Sequence, residues 1–459
     1  MEPQIRRAII FKKNMTSLTE AHFCGISSQS SIYGLTFLFT AESTHKVLVA
    51  SSKRKVYCIE YSKNQQNIIF SIREVHFTYI PGRAEIISID AFNQVCHVHD
   101  FVVGITFTKV ILIEGISPIT SFLMLIFKFS DKIQSDNTAK QSQYFNIYSY
   151  WEPSNECDLD KIAQSCLHFC LDFIPFHLTH TEPFIKGSKE MVWLLSGSDC
   201  KIHMYREDKT RQTYSEEPSD VCFPEFEDLT SVVMWMDFIT TTETRLTAFG
   251  CKDGSVIVTY LNLMPEVRIQ SSWKIQHDGP ISFAKLFQDS VNSSSQGGDM
   301  NMDSVNLFVG NTLEVSVVYR DILKNGLDLS SQYFLPNSNK YDCATCGLIA
   351  DIDMDGKNDL LLGTYGQQLL VYKWKEGTKD KKGSYTLFHQ QLFPNPLLAM
   401  NYVDITGDGL KELLILTTKG LHILQHDLEK ATELCIQRMK CLLQNLLNEE
   451  LEKILTEDS

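Results

Sequence analysis

The sequence predicts an all-β chain, a seven-bladed β-propeller with a C-terminal α-helix. Two observations carry that prediction. A strand–turn–strand pattern recurs seven times at a nearly constant step, and the last thirty-odd residues change to a helical period.

In each copy a run of apolar residues leads to a small residue, then a polar turn, then a second apolar or aromatic run. The copies read VLVASSKRKVYCIEY, FVVGITF, WLLSGSDCKIHMY, TAFGCKDGSVIVTY, LFVGNTLEVSVVY, LLLGTYGQQLLVY and LLILTTKGLHIL. Their small residues are Ala50, Gly104, Ser196, Gly250, Gly310, Gly363 and Thr417, separated by 54, 92, 54, 60, 53 and 54 residues. β-Branched and aromatic runs bounded by Gly, Ser, Asp and Asn favour hairpins, and these runs are too short for helices. A step near 54 suits a four-stranded blade with one long loop. Seven blades close into a ring, which leaves few free strand edges. A β-sandwich with evenly spaced hairpins is the competing architecture, and the regular step argues against it.

In chain order, residues 1–25 are expected to form an N-terminal segment, 26–426 the propeller, and 427–459 an amphipathic helix. The apolar run from Ala8 to Phe11 is too short for a signal-peptide core. The long step of 92 points to an insertion at about 110–142, within the hairpin of the second blade. Its apolar part, residues 110–129, has the length of a bilayer span. Glu114, Gly115 and Pro118 interrupt it, so a loop is the expectation over a membrane contact. A second insertion, residues 289–304, is rich in Ser and Gly. From Asp427 onward Gly and Pro disappear. Leu428, Ala431, Cys435, Met439, Leu442 and Leu446 then form one helical stripe, widened by Leu443, Leu447, Leu451 and Ile454. That face either packs on the ring or meets a partner helix.

A net charge of −14 disfavours nucleic acid and anionic membranes as direct partners. The thirteen cysteines are odd in number and scattered, as expected of reduced cytoplasmic thiols. The CxxC at Cys343 and Cys346 has no second pair at zinc spacing. P-loop, GxGxxG, GxSxG and HExxH motifs are missing. His97 with His99, and His177 with His180, are read as structural or solvated pairs. The expectation is therefore a binding protein without catalytic residues or a required cofactor. A propeller hydrolase with residues scattered over several blades is the enzymatic alternative.

Two copies carry an acidic loop ahead of the hairpin. One holds Asp351, Asp353, Asp355, Gly356 and Asp359; the other holds Asp404, Thr406, Asp408, Gly409 and Glu412. Alternating oxygen ligands, a glycine bend and a further carboxylate can wrap a hard cation, so a structural Ca²⁺ ion is one expectation. Aspartate turns that cap backbone amides without metal are the other. Leu362 at the twelfth position excludes an EF-hand, and the pattern resembles the calcium loops of FG-GAP blades. Asp90 and Asp237 are read as degenerate copies of the same loop position.

The sequence also resembles the kaptin family over most of its length. The resemblance rests on residues 27–35 (SSQSSIYGL), 79–93 (YIPGRAEIISIDAFN), 102–107 (VVGITF) and 162–167 (IAQSCL). It continues through 278–282 (DGPIS), 317–327 (VVYRDILKNGL), 364–373 (TYGQQLLVYK), 396–416 (PLLAMNYVDITGDGLKELLIL) and 418–428 (TKGLHILQHDL). The insertion at about 110–142 departs from the family, in which that connection is short. The resemblance implies a subunit of the KICSTOR complex, beside an FG-GAP-repeat partner and a large scaffold subunit. It implies peripheral placement on lysosomes through that complex, recruitment of the GTPase-activating complex for Rag GTPases, and restraint of the target-of-rapamycin (TOR) kinase in amino-acid sensing. It equally raises an alternative, association with filamentous actin in lamellipodia and stereocilia.

Overall fold

A computed structural model describes residues 18–457, apart from 40–44, 65–66, 95–100, 113–138, 150–158, 185–189, 290–303 and 379–381. Among these residues, seven antiparallel sheets of four strands each make the seven-bladed propeller. The first blade runs from β2 (Leu35–Phe39) through β3 (His45–Ala50) and β4 (Val56–Asn64) to β5 (Asn67–Val75). The second holds β6 (Ala84–Asn93), β7 (Phe101–Leu112), β8 (Ala139–Tyr148) and β9 (Cys166–Leu171). The third holds β10 (Pro175–Thr181), β11 (Val192–Gly197), β12 (Ile202–Asp208) and β13 (Thr213–Glu217). In the fourth are β14 (Val233–Thr240), β15 (Thr244–Cys251), β16 (Ser255–Asn262) and β17 (Arg268–Gln276). The fifth is built from β18 (Ile281–Phe287), β19 (Asn306–Asn311), β20 (Val317–Tyr319) and β21 (Gln332–Phe334). The sixth consists of β22 (Ala344–Ala350), β23 (Asp359–Thr364), β24 (Gln368–Lys375) and β25 (Ser384–Leu392).

The seventh blade joins the two ends of the chain. Its strands are β26 (Leu397–Val403), β27 (Glu412–Thr417), β28 (Gly420–Gln425) and, on the outside, β1 (Thr19–Gly25). β1 pairs antiparallel with β28, from Thr19 opposite Gln425 to Gly25 opposite Gly420. The ring therefore takes in residues that the sequence assigned to a separate N-terminal segment. The pairing hides the free edge of β28, and Cys24 of β1 is buried at the seam.

Seven apolar clusters fill the seven spaces between blades, including one that joins Val47 and Val49 of the first blade to Val403, Leu414 and Leu416 of the last. Middle strands such as β19, β23 and β27 are buried at every position, because a neighbouring blade covers each face. That is why the repeat reads as unbroken apolar runs instead of alternation. The small residue of the repeat has a packing cause. A Cβ on Gly310 would lie 2.1 Å from the Phe283 ring, and one on Gly250 would lie 2.3 Å from Ile281.

The hairpin of the second blade runs on to Leu112 opposite Ala139, beyond the start expected for the insertion. Its connection, residues 113–138, lies outside the described residues, as do most of the 289–304 insertion and both His97 and His99. Among the described residues no helix is long and apolar enough to cross a membrane.

The C-terminal helix, α3 (Leu428–Glu457), follows two short helices, α1 (Leu159–Gln164) and α2 (Ile322–Asn325). Asp427 caps α3 by accepting the amide of Glu429 at 3.2 Å. In its described part only Ala431 is buried, whereas Leu428, Ile436, Met439 and Leu443 are 61%, 43%, 54% and 59% exposed. Apart from Ala431, the described part of the stripe is left uncovered by the ring.

Candidate functional site

The two acidic loops connect first to second strands in the sixth and seventh blades, and they share one backbone. Asp359 faces Ala350 and Glu412 faces Val403 at matching ends of the β22–β23 and β26–β27 ladders. In the first loop Asp351 accepts the amides of Asp355 (2.9 Å) and Gly356 (2.8 Å). In the second, Asp404 accepts those of Gly407 (2.6 Å) and Gly409 (2.8 Å). The closing carboxylate folds back each time: Asp359 accepts the Ile352 amide at 3.2 Å and Glu412 that of Ile405 at 2.9 Å. Ile352 and Ile405 are buried beneath the loops. Gly356 and Gly409 have φ of +87° and +91°, a bend that side chains resist.

Both loops gather carboxylates. Oxygens of Asp351, Asp353 and Asp359 lie within 4.8 Å of one another, and so do those of Asp404, Asp408 and Glu412. Their surroundings differ. In the sixth blade the Lys373 ammonium contacts Asp353, reaches Asp355 at 2.9 Å and lies 3.4 Å from Asp359. Burial alone would lower the Lys373 pKa; its hydrogen bonds to Asp353 and Asp355 and the Asp359 charge outweigh burial and raise it. In the seventh blade the matching residue is Gln425, whose amide nitrogen is 3.5 Å from Glu412. The Thr406 hydroxyl donates to Glu412 at 3.1 Å. Burial pushes Glu412 up to about 7, as it does Asp359 in the sixth blade despite Lys373. The seventh-blade set fits a hard cation in donor type and charge. In the sixth-blade set a cation of the protein's own already stands among the oxygens.

Asp90 and Asp237 are not in these loops. Both are interior residues of first strands, Asp90 opposite Gly104 and Asp237 opposite Ala248. β6 runs on to Asn93 and β14 to Thr240, past each aspartate, whereas β22 and β26 end at Ala350 and Val403, just before Asp351 and Asp404. Asp90 pairs with His180 at 2.7 Å. Burial works to lower the His180 pKa, but the Asp90 charge and hydrogen bond raise it overall. The Asp237 carboxylate accepts the Leu286 amide of the next blade at 2.8 Å, and burial pushes it up to about 6.

His177 stacks on Trp235 at 4.6 Å and accepts the Met236 amide at 3.2 Å. Burial drives its pKa down to about 4, so it is a neutral packing residue at pH 7. Lys285 lies 5.1 Å above the same Trp235 ring. Tyr33 donates its hydroxyl to the Met234 carbonyl at 2.6 Å. This aromatic cluster joins the first strands of several blades, and no local motif in the sequence announced it. Cys343 and Cys346 are free thiols, the second buried.

A sequence model of the family described as KICSTOR complex protein kaptin matches residues 18–436, from the closing strand β1 into α3. A mouse protein named KICSTOR complex protein kaptin is 39% identical over 425 residues, which cover 92% of this chain and 91% of the mouse protein.

Proposed function

This chain belongs to the kaptin family, and on that premise we propose that it is a non-enzymatic assembly subunit of a KICSTOR complex. In this reading it helps to recruit the GTPase-activating complex for Rag GTPases to lysosomes and restrains TOR kinase signalling when amino acids are scarce. Its neighbours there are an FG-GAP-repeat subunit and a large scaffold subunit, and its contact with the membrane is through the complex.

The observation that carries the reading is the extent of the kinship, which spans the ring from β1 to β28 and enters α3. The fold supports it. A closed ring offers broad faces to several partners at once, and α3 adds a helix that exposes Leu428, Ile436, Met439 and Leu443. Three shifted titratable groups of the ring have structural partners: His180 with Asp90, Asp237 with a backbone amide, His177 with Trp235.

The test is loss of the protein in cells starved of amino acids, combined with affinity purification of the tagged chain. TOR kinase activity is expected to stay high in cells that lack it, and Rag regulators are expected to co-purify. Normal shut-off of the kinase, with actin as the main recovered partner and disturbed actin organisation, would overturn the reading in favour of a cytoskeletal role.

A further inference from the structure

The paired loops differ at one position that decides what can sit in them. Lys373 of β24 and Gln425 of β28 occupy the same place in their blades. Each follows a residue (Tyr372 or Leu424) that pairs with the one just after the closing carboxylate, Leu360 or Leu413. We infer that the Lys373 ammonium is the resident cation of the sixth-blade loop, standing where a calcium ion would stand, so that this loop is held closed without metal.

The geometry is that of a filled site. An ammonium group has three donors, and three carboxylates of the loop surround it: Asp353, Asp355 and Asp359. The Lys373 side chain is only 17% exposed, and its charged end also lies 5.0 Å from the Phe388 ring centre. Calcium needs six to eight oxygens at about 2.3–2.6 Å. One oxygen each of Asp353, Asp355 and Asp359 is here turned towards the Lys373 nitrogen, while Asp353 Oδ1 is buried without a hydrogen-bond partner among the described residues, and an incoming divalent ion would have to expel a like charge carried on a paired strand. Asp351, the remaining carboxylate, is spent on the amides of Asp355 and Gly356. The tether matters as much as the charge. A side chain of the same chain is present at fixed local concentration, so this loop gains nothing from free calcium. The calcium-type loop of the sixth blade is thus converted into an internal salt-bridge cluster by one residue, while its backbone is unchanged.

The experiment uses the full chain with Glu412→Gln in every sample, which removes the closing carboxylate of the seventh-blade loop. Melting temperatures are read in millimolar Ca²⁺ and in EDTA. The Glu412→Gln protein is expected to melt at the same temperature in both. The Glu412→Gln/Lys373→Gln protein is expected to melt lower in EDTA and to regain about 2 °C or more on adding Ca²⁺, by mass action on the freed site. A calcium response in the Glu412→Gln protein that disappears with Asp355→Asn would overturn the inference. So would a double variant that folds but ignores calcium. Should the double variant not fold, the calcium content of the dialysed wild-type chain decides: no loss of bound calcium on Asp355→Asn is expected, and a loss of one ion per chain overturns the proposal.

Discussion

Replacing Glu225 with alanine is expected to destabilise the propeller by about 3–5 kcal/mol, because it strands a buried guanidinium. Glu225 lies in the 3₁₀ turn Pro224–Phe226, between the third and fourth blades, and Arg245 lies in β15. Both side chains are 0% exposed, and the shortest nitrogen–oxygen distance between them is 2.9 Å. Arg245 Nη2 also donates to the Cys222 carbonyl at 2.7 Å, and the guanidinium sits 4.3 Å from the Phe223 ring centre. Among the described residues Arg245 Nε and Nη1 have no hydrogen-bond acceptor, so Glu225 is the principal compensation for the charge. Thr247 would lose its acceptor too, since its hydroxyl donates to Glu225 at 2.7 Å. Arg245→Met together with Glu225→Ala is expected to cost less than Glu225→Ala alone, because the double change removes the charge along with its partner. Urea unfolding, followed by tryptophan fluorescence at matched slope, measures both. A loss below about 1 kcal/mol in Glu225→Ala, or a double variant no more stable than the single one, would refute the reasoning.

Ending the chain at Asp427 is expected to leave the melting temperature of the ring within about 2 °C of wild type, since α3 buries only Ala431 in its described part. The same truncation is expected to weaken recovery of complex partners in affinity purification. A large stability loss with partner binding intact would mean that the helix serves the ring. His177 gives a pH-dependent prediction. A histidine whose folded pKa is depressed to about 4 stays neutral in the fold, while the unfolded chain takes up a proton below about 6.5. Its stabilisation is therefore full at neutral pH and is lost as pH falls from about 6.5 towards 4, up to about 3 kcal/mol. Asp237, raised to about 6, acts in the opposite direction over nearly the same range. His177→Gln should remove the first contribution, so unfolding measured from pH 7 to pH 5 should show its stability falling less than that of wild type. Parallel pH profiles would exclude the assignment.

The blade repeat was legible in the sequence because each hairpin is a local object. A buried middle strand needs an unbroken apolar run, and a tight turn needs Gly, Asp or Asn; both are written within about 15 residues. The helix from Leu428 and the carboxylate spacing of Asp351–Asp359 and Asp404–Glu412 were readable for the same reason. What the sequence left open depends on residues that meet only after folding. Thr19–Gly25 is short and only weakly patterned, and it becomes a strand because β28, four hundred residues on, offers it an edge. The register of Asp90 and Asp237 was misread because β6 and β14 continue past them to Asn93 and Thr240, and where a strand ends is decided by its pairing with the next. The exposed α3 stripe shows a face without naming what covers it. Lys373 looked like an ordinary lysine in VYKWK until the β23–β24 pairing brought it beside Asp359. Local steric preference and periodicity thus determine the blades, whereas long-range pairing decides which edge is closed, which charge is buried and which carboxylates already hold a cation.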